Sequence, residues 1–327
     1  MIKRREFIAG IGSAAAWPMV ARAQQPAVPV IGMLSGSSFE SFADRMAAFR
    51  QGLREIGFIE GRNVAIEYRS ADGRYERAPA LAADLVRQQV AVIVAIGGGN
   101  PMTKAVKTAT STIPIVFAVG GDPVIFGLVA SISRPEANVT GVAFNNTILG
   151  PKRLDLIRQL LPGNISIGYL DRSRDGFEAD VKDLLEAAHI TGQKLVVFTA
   201  NTAQDIDIAF AAIVQQRLAG LLVSNDASLS ARRDQIVALA ARHAVPTVYG
   251  NREYVRAGGL LSYGAELNDA YRWTGVYTGR ILKGEKPADL PVFQSTKYEL
   301  AINLRTAKAL GLTIPETLLA TADEVIQ

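Results

Sequence analysis

Seven short clusters of small and polar residues could do chemistry in this 327-residue chain, and each follows an apolar run. They are Ser35-Gly36-Ser37-Ser38, Gly99-Asn100, Gly121-Asp122, Asn145-Asn146, Asp171-Arg172-Ser173, Asn225-Asp226, and Tyr249 followed by Gly250-Asn251. The chemistry they suit is recognition. Small residues let backbone N–H groups reach a ligand, and the N-terminus of a following helix favours a carboxylate. Gly99-Asn100-Pro101 is the best such step, because Asn caps helices and Pro suits the first helical position. Asp226, behind the strongly apolar Leu221-Leu222-Val223, suits a ligand ammonium, and Tyr249 and Tyr263 could supply an aromatic wall. Any single cluster also reads as ordinary turn and capping chemistry. The whole set, spread over both halves of the chain, points to a binding cleft. The expected ligand-binding residues are therefore Ser35, Ser37, Ser38, Gly99, Asn100, Gly121, Asp122, Asn145, Asn146, Asp171, Ser173, Asp226, Tyr249 and Tyr263.

Bond-making motifs are missing. The chain has no Cys, which removes disulfides, thiolate metal sites and cysteine nucleophiles together. Its two histidines, His189 and His243, each fall near the end of a helical pattern, where a histidine ordinarily meets the last carbonyls. Gly97-Gly98-Gly99 stands where a phosphate loop would, but it is not G-x-G-x-x-G, and no G-x-x-x-x-G-K-[ST] occurs. H-E-x-x-H and G-x-S-x-G are absent as well. No catalytic residue, metal or cofactor is expected.

The elements that must position these clusters alternate. Apolar, β-branched runs at Val28 to Leu34, Val64 to Tyr68, Val90 to Ile96, Ile113 to Val119 and Val139 to Phe144 predict strands. Between them, Phe42, Met46, Phe49, Leu53 and Ile56 mark one helix, and Leu81, Ala82, Leu85 and Val86 another. The rhythm restarts near Gly150, with strands predicted at Ile165 to Leu170, Lys194 to Phe198, Gly220 to Val223 and Pro246 to Tyr249. A tail adds strands at Gly258 to Tyr263 and Tyr298 to Asn303 around a helix from Asn268 to Lys283. Such alternation implies right-handed βαβ units and parallel sheets. The length and the restart favour two doubly wound α/β lobes, with ligands beyond the carboxyl ends of the strands. The tail is too small for a third core, so the chain is expected to cross between lobes more than once.

The first residues read as an address. Lys3-Arg4-Arg5, a mildly apolar stretch from Ile8 to Val20 and Ala21-Arg22-Ala23 have the layout of an export signal cleaved near Ala23. The Arg4-Arg5 pair suggests the twin-arginine route, and the periplasm as destination. Lys3, Arg4, Arg5 and Arg22 against Glu6 account for +3 of the formal +4, so the 304 residues after Ala23 carry about +1. The basic excess belongs to the address, and nucleic acid is not expected as a partner.

Residues 28–327 resemble the ABC-transporter substrate-binding family that includes the tryptophan-type uptake proteins. Four stretches carry the resemblance: Ala48-Phe49-Arg50-Gln51-Gly52-Leu53-Arg54-Glu55 with Glu60-Gly61-Arg62-Asn63-Val64; Thr110-Ser111-Thr112-Ile113-Pro114-Ile115-Val116-Phe117; Ala257-Gly258-Gly259-Leu260-Leu261-Ser262-Tyr263-Gly264; and Thr306-Ala307-Lys308-Ala309-Leu310-Gly311-Leu312-Thr313-Ile314-Pro315. The family's Gly-Gly-[Thr/Asn]-Pro loop falls on Gly98-Gly99-Asn100-Pro101. Its Ser-Asp-Pro turn falls on Gly121-Asp122-Pro123, and its Leu-Pro-Asp is replaced by Ser224-Asn225-Asp226, which keeps the Asp. The resemblance implies a type I periplasmic binding fold whose two lobes are joined by three crossover strands. One lobe would comprise 28–146 plus 266–290 and the other 147–265 plus 291–327, with hinges near Asn145 and Gly264. Characterised members of that family bind aromatic or other hydrophobic amino acids, and the expected function is a monomer that binds an amino acid or small carboxylate, aromatic and hydrophobic ones included, and delivers it to an ABC permease. A ligand sensor or co-receptor would share every residue above. An exported enzyme would need a catalytic constellation that the sequence does not show.

Overall fold

Strand β1 (Val30–Ser35) shows why these runs become strands: Ile31 and Met33 face one core and Leu34 the opposite one. The computed structural model describes residues 28–135, 137–172 and 177–327, so the expected export signal and Ser173 lie outside the described residues. The further strands are β2 (Ala65–Ser70), β3 (Val92–Ile96), β4 (Ile115–Val119), β5 (Val139–Ala143), β6 (Ser166–Asp171) and β7 (Lys194–Thr199). They continue with β8 (Gly220–Val223), β9 (Thr247–Tyr249), β10 (Leu261–Ala265), β11 (Phe293–Gln294), β12 (Tyr298–Asn303) and β13 (Glu324–Ile326). They form a six-stranded sheet, β11-β5-β4-β3-β1-β2, and a seven-stranded one, β13-β12-β10-β9-β8-β6-β7.

Helices cover both faces of each sheet. In β3, Val92, Val94 and Ile96 pack with Met46, Phe49 and Leu53, while Ile93 and Ala95 turn toward Ala82, Leu85, Met102 and Val106. A central parallel strand must hide both faces, so its sequence is continuously apolar. In the second sheet, Leu221 and Val223 of β8 join the core around Phe210 and Ile236, and Leu222 joins the one around Ile157 and Leu184. Among the described residues no helix is long and apolar enough to cross a membrane.

The first sheet is parallel throughout. The second departs from the parallel expectation at one place, where β12 runs antiparallel to β10 with Ala265 opposite Tyr298. The reason is the chain's path. Strand β10 leaves the second lobe at Ala265, and β12 brings the chain back from the first lobe beside that exit, so the two run in opposite directions.

The chain passes between sheets three times, after β5, after β10 and after β11. Strand β11 pairs with Val142 and Ala143 of the first sheet. Residues 291–294 therefore sit with the first lobe, and a division at 290/291 falls a few residues short. A two-residue strand carries too little periodicity to be read from sequence.

The helix Leu267–Leu282, formed after the second crossing, packs on Ala43–Glu55. Glycines make the approach possible. A Cβ on Gly52 would collide with the Arg272 carbonyl oxygen, and one on Gly275 with that of Phe49. This pair of helices brings Arg45 and Tyr271 to the edge of the cleft.

Candidate functional site

The two sheets point the carboxyl ends of their parallel strands at each other, and a cavity of about 300 Å³ lies between them. Its first-lobe wall begins at Gly97-Gly98-Gly99-Asn100, between β3 and the body of helix Gly99–Ala109. Gly97 and Gly99 both have φ +59, a left-handed conformation that glycine adopts without strain. Gly36 touches Gly98 backbone to backbone, since a Cβ on Gly36 would lie 2.6 Å from the Gly98 Cα. Asn100 lines the cavity, and its buried Oδ1 has no hydrogen-bond partner. An orphaned acceptor of this kind calls for a donor.

Aromatic residues contribute to the wall from both lobes: Tyr75, Phe126, Phe144 and Tyr271 from the first and Tyr169 from the second. Gly121 makes room for one of them, because a Cβ there would come within 2.5 Å of the Phe126 ring. The small residue at this strand end admits an aromatic side chain as well as lining the cavity.

The second-lobe wall is polar. Asp171 is buried at the end of β6; its Oδ1 accepts from the Ser224 hydroxyl at 2.6 Å and the Arg172 N–H at 2.7 Å, and its Oδ2 from the Tyr169 hydroxyl at 3.1 Å. Asp226 caps the short helix Ala227–Ser230 through Oδ1, which takes the Ser228 N–H at 2.8 Å. Arg153 also lines the cavity. Burial is the main influence on its guanidinium, pushing the pKa down to about 10, while Tyr169 and Asp171 nearby favour the charged form.

Among the described residues, contacts that bridge the lobes across the cleft include an ion pair, a cation–π contact and a hydroxyl–carbonyl contact, so the molecule is closed. Arg45 Nη2 lies 3.1 Å from Glu253 Oε1, the Arg172 guanidinium sits 4.0 Å from the Tyr75 ring centroid, and the Ser37 hydroxyl is 3.4 Å from the Ala227 carbonyl oxygen. Burial would lower the Arg45 pKa, but Glu253 and Tyr271 outweigh it and hold the value above the ordinary arginine range.

Of the residues expected from sequence, Gly99, Asn100, Gly121, Asn146, Asp171 and Asp226 line the cavity. Ser35, Ser37 and Ser38 are not among its lining residues. The Ser35 hydroxyl donates to the Ser37 carbonyl at 2.6 Å, which ties that loop together. Asp122 is exposed and caps its own turn, accepting from the N–H of Val124 and Ile125 at 2.7 and 3.2 Å. Asn145 takes φ +42 at the first crossover. The two expected wall tyrosines are elsewhere. Tyr249 is fully buried in the second-lobe core, stacked on Tyr254 at 4.6 Å, and burial pushes its phenol far up. Tyr263 packs against that lobe's other core, 6.2 Å from Tyr298. Tyr75, Phe126, Phe144, Tyr169, Tyr271, Arg45 and Arg153 also line the cavity and were not expected from sequence. Phe144 directly follows β5 and so carried the strand-end signal, whereas Tyr75 and Phe126 stand further along the chain after β2 and β4.

Two α/β lobes, three crossovers and a cleft at the strand ends define a type I periplasmic binding fold. The chain belongs to the ABC transporter substrate binding protein family, which it matches over residues 27–326. The family is one of binding proteins and not enzymes. A curated relative, the tyrosine-binding protein of Clostridioides difficile (strain R20291), is 26% identical over 265 residues, covering 81% of this chain and 75% of the relative. A conserved domain protein of Vibrio cholerae superposes with a TM-score of 0.84 at 28% identity, over 91% of this chain and 99% of the other. An ABC domain from Streptococcus pneumonia, solved in complex with L-Trp, does so with a TM-score of 0.83 at 27% identity and the same coverage.

Proposed function

We propose that this protein is exported, binds a small carboxylate with an aromatic or hydrophobic group, such as an amino acid, in the interlobe cleft, and delivers it to an ABC permease. The observation that carries this reading is the cavity itself. Polar loops and aromatic rings of both lobes enclose a volume suited to one small organic molecule. Asp226 offers its Oδ2, which lies outside the capping bonds, to a ligand ammonium. The Tyr75, Phe126 and Phe144 rings offer a face on which an aromatic side chain can pack. The tyrosine and L-Trp in the relatives' names agree with that class. Residues 1–23 support export, and a ligand clasped between lobes is released when they part about the crossovers, a hinge motion.

A thermal-shift screen against amino acids and aromatic acids tests the reading. A ligand at 100 times its Kd adds roughly 2.7 kcal/mol to the folded state, which raises Tm by several degrees. At least one compound of this class is expected to do so without being converted. Turnover of a compound, or no shift from the whole panel, would contradict it.

A further inference from the structure

A buried cation faces the cleft, and among the described residues no carboxylate makes an ion pair with it. Arg153, in helix Gly150–Leu160, is 4% exposed and lines the cavity. Its Nε donates to the Tyr263 carbonyl at 2.7 Å and its Nη2 to the Asn146 carbonyl at 3.3 Å. Among the described residues no acceptor takes Nη1, and no carboxylate forms an ion pair with the guanidinium. Asp171 acts on it only through space, its oxygens being bonded to Ser224, Arg172 and Tyr169. With a pKa near 10 the group is cationic at neutral pH.

Asn146 holds a second unspent donor at the same place. It is 3% exposed and lines the cavity. Its Oδ1 accepts the Ala265 N–H at 2.9 Å, which fixes the amide's orientation. Nδ2 is then a buried donor with no partner. The two side chains adjoin, with Arg153 Nη2 3.5 Å from Asn146 Oδ1. A buried charge and a buried unsatisfied donor are each costly alone, and one carboxylate, with two acceptor oxygens, relieves both.

The pair also sits on the hinge. Asn146 belongs to the first crossover, and Tyr263 and Ala265 lie at the end of β10, where the second begins. We propose that Arg153 and Asn146 form the seat for the ligand's carboxylate and thereby tie its presence to the hinge. This rests on the reading of the cleft as the ligand site. It moves the anion away from the start of helix Gly99–Ala109, where the orphaned Asn100 Oδ1 favours a donor instead.

Calorimetry with matched acids and amides tests the seat. The probes are L-tryptophan, L-tyrosine, L-phenylalanine, L-leucine and indole-3-acetate, each beside its carboxamide, on the wild-type protein and three variants. The wild type is expected to prefer the acid of its best pair by about 10- to 100-fold, the range of a charge-assisted hydrogen bond. Arg153→Gln removes the charge, and Asn146→Asp keeps the bond from Ala265 but puts an acceptor where Nδ2 was. Both are expected to bring the acid-to-amide ratio down toward one, whatever each does to binding overall. Arg153→Lys keeps part of it. A purely structural role would weaken acid and amide alike and leave their ratio unchanged, which overturns the seat. Equal binding of acid and amide by the wild type does the same. Failure of every acid to bind the wild type overturns the cleft reading itself, and the seat with it.

Discussion

Arg45 and Glu253 belong to different lobes, yet their side chains meet at 3.1 Å with little of either exposed. Burial alone would raise the Glu253 carboxyl, but the guanidinium of Arg45 more than offsets it and holds the group below the ordinary glutamate range. A depressed carboxylate contributes above its unfolded pKa, about 4.3, and that contribution is lost as pH falls through the depressed value. Ligand affinity is therefore expected to hold from neutral pH to about 5 and to fall in more acid solution. Glu253→Gln is expected to weaken affinity about 10-fold at pH 7, roughly 1.4 kcal/mol, and to show a shallower acid fall. Calorimetric titrations from pH 3.5 to 8 measure both. An unchanged Kd in that variant would show that the bridge does not hold the lobes together.

At the scale of elements, the closely packed helix pair Ala43–Glu55 and Leu267–Leu282 supports the site. The Cβ atoms that Gly52→Ala and Gly275→Ala introduce have no room beside the facing carbonyls, so the helices must separate. Each substitution is expected to cost about 1–3 kcal/mol by denaturant unfolding, the usual penalty of overpacking. Each should also weaken ligand binding, because the pair carries Arg45 and Tyr271. Wild-type stability in both would contradict the packing account.

The same elements explain what was legible in the sequence. Strands β3, β4 and β8 could be read because both of their faces are buried, which demands unbroken apolar runs. Strands β11 and β13, of two and three residues, leave no periodic signal. The site was legible where a strand ends in a turn, as at Gly99, Asn100, Asp171 and Asp226. It was not legible at Arg153. There a cation beside Leu154 and Ile157 looks like the solvated edge of an amphipathic helix, and only packing against the crossovers buries it. Tyr249 failed for the converse reason. It ends a strand as the site residues do, but its ring turns into the core, and the Tyr254 ring covers it.

Taken whole, the molecule is two packed lobes with a cavity at their junction, and among the described residues an ion pair, a cation–π contact and a hydroxyl–carbonyl contact help close it. With no Cys in the chain, stability rests on packing, and the cleft opens at the cost of those contacts. Small-angle scattering is expected to give a smaller radius of gyration with saturating ligand than without it. The most direct test of the account is native mass spectrometry of the protein exposed to pooled amino acids and aromatic acids. A single one-to-one adduct is expected, with the mass of an intact carboxylic acid from the pool, and the pool otherwise unchanged. The absence of any adduct, or loss of a compound from the pool with a new product, would contradict it.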